Sequence, residues 1–191
     1  MLNALLVAAA VSLLPFRTVP IRTAPIRTVP TAPRDLDAVD LRLLLALAAN
    51  PRATTVALAE SLSLSRNTVQ ARMTALGRAG AFLDFDRCIE PAVAGYPLVA
   101  FTTLHVHQQL LGPIVEELAT IPEIVQAHGI SGAADLLVKL VCRSAEDLFR
   151  VNARMLAVPG VERAETAMGI SEVIPYRITP LLQQVLDRPA P

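Results

Sequence analysis

The order of hydrophobic patterns between Pro97 and Pro180 constrains the fold of this chain more than any other feature. Three segments, "PLVAFTTLHVH", "EIVQAHGIS" and "DLLVKLVC", have the composition of strands, and a fourth begins after Pro159-Gly160. Two segments, "GPIVEELATI" and "SAEDLFRVNARMLAV", place apolar residues at helical spacing. The order strand, helix, strand, strand, helix, strand predicts a ferredoxin-like βαββαβ sheet with two helices on one face.

A sheet of this kind has one face that its own helices do not cover. Both faces of the first predicted strand are rich in apolar residues, with Val99 and Phe101 on one side and Leu98 and Leu104 on the other. An apolar face without a helix is a surface on which a second molecule can pack. The sequence therefore predicts a homodimer formed by sheet-to-sheet contact.

The preceding segment, residues 34–90, has the pattern of a three-helix unit. Asp37 is a predicted N-cap for "LDAVDLRLLLALAAN", and Asn50-Pro51 ends that helix. Thr54 or Thr55 caps "VALAESL", and Ser65 caps a third helix that runs to about Arg78. Two short helices separated by about four residues, behind a packing helix, match the helix-turn-helix plan in which the third helix enters the DNA groove.

The third helix divides into an apolar stripe and an acid-free polar face. Val69, Met73 and Leu76 recur at the spacing of a core-facing side. Amide, hydroxyl and guanidinium groups on the other side can bind base edges and phosphates in the major groove. The residues predicted to contact DNA are Ser65, Arg66, Asn67, Gln70, Ala71, Arg72, Thr74 and Arg78. A basic helical face that is merely solvated is the structural alternative.

After the third helix, "AGAFLDFDRCIEP" is a candidate for a small strand or wing. Asp84 and Asp86 would repel phosphate, so we do not expect its tip to contact DNA strongly. The fold class predicted for the whole chain is therefore α+β, a winged helix-turn-helix at residues 34–90 followed by a ferredoxin-like domain at residues 97–180.

The quoted helices, together with "LAESLSLSRNTVQARMTALGRAGAF", "IPEIVQAHGISGAADLLVKLVC" and "LAVPGVERAETAM", resemble the leucine-responsive regulator (Lrp/AsnC) family of prokaryotic transcription factors. The resemblance covers about residues 35–180. It implies sequence-specific binding to double-stranded promoter DNA, homodimers that often assemble further into octamers, and a small-molecule effector related to amino acids. Ser63 stands where the family often has glycine, a strained position if its backbone is left-handed.

The resemblance also implies an effector loop at "SGAAD". Gly132 and Asp135 match the Gly-x-x-Asp of the family, in which the glycine allows close backbone approach and the carboxylate can meet an amino group. Ala133 and Ala134 lie between them and replace polar and aromatic residues common in the family. A plain strand turn at Gly132 and Asp135 is the structural alternative to an effector site.

Both ends of the chain are predicted to lie outside the two domains. Residues 1–33 combine a short apolar run with Arg-Thr-x-Pro repeats, in which recurring proline forbids a continuous helix, so we expect an extended, disordered tail. Residues 181–191 are expected to form a C-terminal tail. Apolar residues make up 53% of the chain, but no uninterrupted run is long enough to span a bilayer. A cytoplasmic protein without membrane contact is predicted.

Two alternatives come from other functional classes. Sirohaem decarboxylases resemble the same two-domain plan and depend on histidines, and His105, His107 and His128 would lie on neighbouring strands here. Polar filling of a sheet interface explains the same histidines without catalysis. A ligand-sensing module without DNA binding is a third possibility, which an intact third helix disfavours. Cys88 and Cys142 have no zinc-ligand spacing, and we expect no cofactor, no metal and no catalytic residue.

Overall fold

The computed structural model describes residues 36–188, and the predicted tail at residues 1–33 lies outside this range. The described part begins with three helices, and a side chain caps the start of each. Asp37 accepts hydrogen bonds from the N–H groups of Val39 and Asp40, Thr54 from that of Ala57, and Ser65 from that of Thr68. The helices are α1 (Ala38–Ala49), α2 (Thr55–Leu62) and α3 (Arg66–Arg78).

The three helices pack around their own small apolar core. Two residues of the predicted stripe on α3, Val69 and Leu76, are 0% and 3% exposed, and Met73 is partly buried against the same cluster. The predicted helical unit is confirmed, and its packing stripe is the one given by the spacing. The buried members of the cluster are Leu43, Leu58, Ala59, Val69 and Leu76.

The segment between α3 and the sheet does not form the expected wing strand. It contains two short 3-10 turns, Phe85–Cys88 and Pro91–Ala94. A strand needs a neighbour to pair its backbone groups, and the described N-terminal unit contains only helices. Pro91 also lacks a backbone N–H and begins the second turn. The wing prediction is therefore wrong for this segment, although the helix-turn-helix and the α+β class are confirmed.

The second half of the described chain is an antiparallel four-stranded sheet with the predicted βαββαβ order. Neighbouring strands run in the spatial order β2-β3-β1-β4, so the first strand lies in the middle. All three strand pairs are antiparallel. The elements are β1 (Leu98–Val106), α4 (Leu111–Leu118), β2 (Ile124–Gly129), β3 (Leu136–Cys142), α5 (Ala145–Leu156) and β4 (Val161–Met168).

Helices α4 and α5 cover one face of this sheet. Ala100 and Leu104 of β1 are fully buried in a cluster with Ile114 of α4 and Val151 of α5. Thr102 is buried on the same face, where its hydroxyl lies 2.8 Å from that of Thr166. The alternate residues of β1, which include Val99 and Phe101, point to the face without helices, and Phe101 is 43% exposed.

A final helix, α6 (Thr179–Leu186), follows the sheet and packs against α1 in the N-terminal unit. Leu41 of α1 is 3% exposed, although it is not a member of the three-helix core cluster. The expected C-terminal tail at 181–191 is therefore helical up to residue 186, and residues 189–191 lie outside the described range. No helix among residues 36–188 has the length and apolar content needed to cross a bilayer.

Candidate DNA-binding face and effector loop

Helix α3 presents a polar face to solvent because Val69 and Leu76 hold its other side in the core. The exposed face carries two amides, Asn67 and Gln70, with Arg66 and Arg78 toward the two ends. Every residue predicted to contact DNA is exposed except Arg72. The exposed set is Ser65, Arg66, Asn67, Gln70, Ala71, Thr74 and Arg78.

Two hydroxyl groups of this set already bind the backbone of their own helix. Ser65 Oγ accepts a hydrogen bond from the N–H of Thr68 at 3.1 Å, and Thr74 Oγ1 donates to the carbonyl of Gln70 at 2.9 Å. Such local bonds hold a helix start or a rotamer rather than an incoming ligand. The groups left for base and phosphate contacts are therefore mainly the amides of Asn67 and Gln70 and the guanidinium groups of Arg66 and Arg78.

The turn before α3 contains a left-handed serine. Ser63 has φ 54° and ψ 43°, and among residues 36–188 it is the one non-glycine residue with a positive φ. Its N–H donates to the carbonyls of Ala59 and Glu60, so the strained residue closes α2 and sets the angle at which α3 begins. Serine in place of the family's glycine therefore strains the backbone in the turn of the helix-turn-helix.

Arg72 does not share the exposed face of its neighbours. Its Nη1 lies 3.0 Å from Asp40 Oδ1 and also donates to Asp37 Oδ2, and both aspartates belong to the start of α1. The side chain is 33% exposed. From the sequence, Asp37 was recognised only as an N-cap. No local spacing links Asp37 or Asp40 to an arginine that follows them by 35 and 32 residues.

The two end arginines of α3 differ from Arg72 in their surroundings. Within residues 36–188, neither Arg66 nor Arg78 has an ion-pair partner. Their charges therefore remain available to an anion, whereas that of Arg72 faces two carboxylates. The face as a whole is positive at both ends and neutral in the middle, which suits a helix lying across a groove between two phosphate backbones.

The predicted effector loop connects β2 and β3. Gly132 has φ 139°, and a Cβ built on it would meet no atom within 4 Å, so the backbone there is open to a ligand. Ala133 is exposed and Ala134 is half-buried. The loop closes through a 2.9 Å hydrogen bond from the N–H of Ile130 to the carbonyl of Asp135. Gly132, Ala133 and Ala134 thus lie together at the end of the sheet where β2 is followed by β3.

Asp135 turns its carboxylate toward β1 rather than into the loop. Oδ2 accepts a hydrogen bond from the N–H of Val106 at 2.9 Å, and Oδ1 accepts one from Gln108 at 2.5 Å. The bond from Val106, followed by that from Gln108, holds the pKa of Asp135 below its ordinary value. Both carboxylate oxygens therefore have partners before any ligand arrives, and Gln108 is a residue of this region that the sequence did not reveal.

A buried carboxylate in the C-terminal domain also escaped the sequence analysis. Glu123 is 5% exposed and binds Arg150 Nη2 at 2.5 Å and Arg154 Nη1 at 3.5 Å. Burial raises the pKa of Glu123, but hydrogen bonds from Arg150 and from its own backbone outweigh burial and keep the pKa below its ordinary value. These contacts hold the segment before β2 against α5, so this cluster stabilises the fold.

A shallow cleft lies beside this cluster, at the carboxyl ends of α4 and α5. Its volume is about 230 Å³, and Glu117 and Arg154 are among its lining residues. Pockets for small-molecule ligands are commonly about 300 Å³ or larger. The cleft is small by that measure, and its arginine already binds Glu123.

The three histidines do not converge on one site. His107 follows the end of β1, and its Nε2 lies 3.2 Å from a carboxylate oxygen of Glu162. His105 is half-buried on β1, whereas His128 is exposed on β2, two strands away in the sheet order. No three His, Cys, Asp or Glu side chains within the described residues are placed to hold a metal ion together.

Two family models match the chain, one in each half. The AsnC-type helix-turn-helix domain matches residues 36–76, and the Lrp/AsnC ligand binding domain matches residues 99–179. The first match covers α1 to most of α3, and the second covers all of the sheet after the first residue of β1, with α4 and α5. Both domains are found in transcriptional regulators. The alternative of an enzyme similar to sirohaem decarboxylases therefore receives no support.

Curated relatives extend over most of the described chain. The HTH-type transcriptional regulator AldR of Mycolicibacterium smegmatis is 30% identical over 118 residues, which is 60% of this chain and 69% of AldR. An HTH-type transcriptional regulator of Pyrococcus abyssi is 29% identical over 134 residues, covering 70% of this chain and 85% of that protein.

Solved structures share the arrangement of both halves. E. coli AsnC superposes with a TM-score of 0.68 at 22% identity, covering 77% of this chain and 100% of AsnC. The feast or famine regulatory protein from M. tuberculosis, complexed with L-methionine, has a TM-score of 0.68 at 25% identity and covers 75% of this chain and 98% of its own.

Proposed function

The chain belongs to the Lrp/AsnC family of transcriptional regulators, and from that premise we propose that it recognises a specific, semi-palindromic promoter site through the exposed face of α3. The observation that carries the proposal is the placement of Asn67 and Gln70 on an acid-free face between Arg66 and Arg78, neither of which forms an ion pair with any residue in 36–188. Asn and Gln can each form two hydrogen bonds with adenine, and arginine binds guanine or phosphate.

Footprinting and gel-shift titration test this proposal on a promoter fragment next to the gene that encodes the protein. Asn67→Ala and Gln70→Ala should each reduce the preference for the protected site by about 1 to 3 kcal/mol, because each removes a base contact. Gln109→Ala, which removes an exposed amide in the other domain, is the matched control. Salt-sensitive binding without preference for any site would contradict specific recognition.

We propose that the protein binds this site as a homodimer and that the open sheet face forms the contact between subunits. Phe101 is 43% exposed at the centre of that face, and half-buried Val99 and Leu137 lie beside it. A two-fold dimer presents two α3 helices, as two half-sites of a semi-palindrome require. Further assembly of dimers into octamers would follow the pattern of the family.

Light scattering on the full chain measures the oligomer directly. Phe101→Glu should convert dimers to monomers, because the contact would have to bury a carboxylate, a cost that the cross-strand neighbour Lys139 offsets only in part. Phe149→Glu is the matched control, since Phe149 is 77% exposed on the outer side of α5. A dimer that survives Phe101→Glu but not Phe149→Glu would assign the contact to the helical face instead.

We propose further that the loop Gly132–Asp135 contacts a small effector related to an amino acid. The open backbone at Gly132 supports a close approach, and two of the structural neighbours are described as complexes with methionine. Because both oxygens of Asp135 are engaged by Val106 and Gln108, backbone groups at Gly132, Ala133 and Ala134 are the expected contacts.

Calorimetric titration with L-methionine and the other proteinogenic amino acids tests the effector proposal. Ala133→Glu should abolish binding, because a carboxylate on the loop repels that of the ligand. Ala145→Glu places the same charge on the exposed first turn of α5 and is the control. Equal binding of the amino acid by both variants would show that the effector binds elsewhere than at this loop.

We also propose domain limits at residues 34–90 and 97–180 and a cytoplasmic location. Two separate core clusters, one in the helices and one under the sheet, support the division. A protein that binds promoter DNA must share a compartment with that DNA, which supports the cytoplasmic location.

A further inference from the structure

Arg72 links the helix proposed to bind DNA to the first turn of α1. Its guanidinium pairs with two carboxylates, and one of these has a second task. Asp37 binds Arg72 through Oδ2, while its Oδ1 accepts hydrogen bonds from the N–H groups of Val39 at 2.9 Å and Asp40 at 2.8 Å. The cap of α1 and the attachment of α3 are therefore one continuous hydrogen-bonded unit.

The electrostatics of this unit make Arg72 a poor partner for phosphate. The backbone N–H of Asp40, and then Arg72, hold the pKa of Asp37 below its ordinary value, while Asp37 and Asp40 raise the pKa of Arg72. One positive charge thus faces two negative ones. A phosphate that approached Arg72 would meet both carboxylates and be repelled.

The position of Arg72 on α3 explains what the ion pairs add to apolar packing. Arg72 lies three residues after Val69 and four before Leu76, on the flank of the buried stripe. Apolar contacts have no directional preference and permit small shifts of a helix along its partners. Hydrogen bonds require a defined geometry, so those of Arg72 fix the position and rotation of α3 against α1.

We propose that Arg72 is a positioning residue, which sets the orientation in which Asn67 and Gln70 meet bases and does not itself bind DNA. This inference rests on the proposed function, because it assigns a cause to the sequence preference of α3. It separates the arginines of one helix into two classes. Arg66 at the helix start binds phosphate, and Arg72 acts through the helix that carries it.

The salt dependence of DNA binding distinguishes these classes. Arg66→Met should weaken binding to the preferred site and to unrelated DNA alike and lower the salt slope by about 1, the value expected for one lost phosphate contact. Arg72→Met should leave both the slope and the affinity for unrelated DNA unchanged. Its affinity for the preferred site should fall about tenfold, equivalent to roughly 1.4 kcal/mol. A slope lowered by about 1 in Arg72→Met would overturn the proposal.

Asp40→Asn is a second variant with opposite expectations under the two roles. If Arg72 bound phosphate, removal of a competing carboxylate would tighten binding to all DNA. As a positioning partner, Asp40 should instead behave like Arg72, so Asp40→Asn loses preference for the site. The double variant should lose no more than Arg72→Met alone.

Thermal unfolding without DNA tests the attachment separately from the proposed function. The effects of Arg72→Met and Asp40→Asn on the melting temperature should be non-additive in the full chain. Additive effects would show that the pair does not fix α3 and would overturn the inference. A different result is that the effects on the melting temperature are non-additive but the protein prefers no DNA site. That result would overturn the proposed function and, with it, the role of Arg72 in recognition.

Discussion

The carboxylate of Asp135 lies 2.9 Å from the backbone nitrogen of Val106 and accepts its hydrogen bond. In return, the N–H of Asp135 donates to the carbonyl of Leu104 at 3.0 Å. The residue expected to meet a ligand thus pairs the start of β3 with the end of β1. Its first role is in the fold of the sheet.

Asp135→Ala should therefore lower the melting temperature by a few degrees even when no effector is present. The pKa of Asp135 is held below its ordinary value of 3.8 chiefly by the Val106 N–H, so its contribution is present above that pH and is lost as the pH falls further. Melting curves of both proteins should converge at low pH. Asp84→Ala, at an exposed site without a capping bond, is the control. Full stability of Asp135→Ala at neutral pH would contradict a structural role.

Replacement of Ser63 with glycine should stabilise the N-terminal unit. A left-handed conformation costs an ordinary residue about 1 to 2 kcal/mol, and part of this gain is offset by the greater backbone entropy of glycine in the unfolded chain. Chemical denaturation should show a net gain of about 0.5 to 1 kcal/mol. Ser61→Gly, inside α2, should instead destabilise by a similar amount. A loss in both variants would mean that Ser63 carries no strain.

Gly160→Ala should destabilise the C-terminal domain by about 1 to 3 kcal/mol. Its φ is +94°, and an added Cβ would lie 2.9 Å from Ile114 Cδ1 and 3.0 Å from Leu110 Cδ1. Gly112, on the neighbouring α4, has open space around it, so Gly112→Ala should be neutral or stabilise by up to about 1 kcal/mol. Thermal melting of the two variants compares the sites, and equal effects would show that α4 adapts to the added methyl group.

Glu123→Gln should reduce the free energy of unfolding by about 1 to 3 kcal/mol at neutral pH, because it removes charged hydrogen bonds to Arg150 and Arg154. Since the pKa of Glu123 lies below its ordinary value of 4.5, the native protein has this stabilisation above that pH and loses it under more acidic conditions. The difference between the variant and the native chain should shrink as the pH is lowered. Glu116→Gln, at an exposed site, is the control, and a difference for Glu123→Gln that does not shrink at low pH would contradict the role of its charge.

Features that depend on a few neighbouring residues could be predicted from the sequence. The caps at Asp37 and Ser65 were predicted correctly, because a side chain that accepts from an N–H two or three residues away is a local event. The order of strands and helices could also be predicted, because the spacing of apolar residues within each segment is local. The exposed face of α3 also agreed with the helical spacing of Val69 and Leu76.

Features that depend on distant residues could not be predicted in this way. Arg72 looked like its neighbours on the helix, and only the fold brings it to Asp40, 32 residues earlier in the chain. Asp135 was expected to be a ligand residue from the resemblance to the family, and nothing in the loop sequence indicates that Val106 approaches it. The wing was expected from apolar residues after α3, but strand formation depends on a partner that local composition does not supply.

The packing of α6 against α1 means that the chain joins its two halves twice. One connection runs through residues 79–97, and the other returns through residues 169–178. A body held at a single hinge can swing freely, whereas one held at two points moves only if both connections deform together. The half that carries α3 therefore cannot reorient against the sheet by bending one connection alone, because α6 also holds α1.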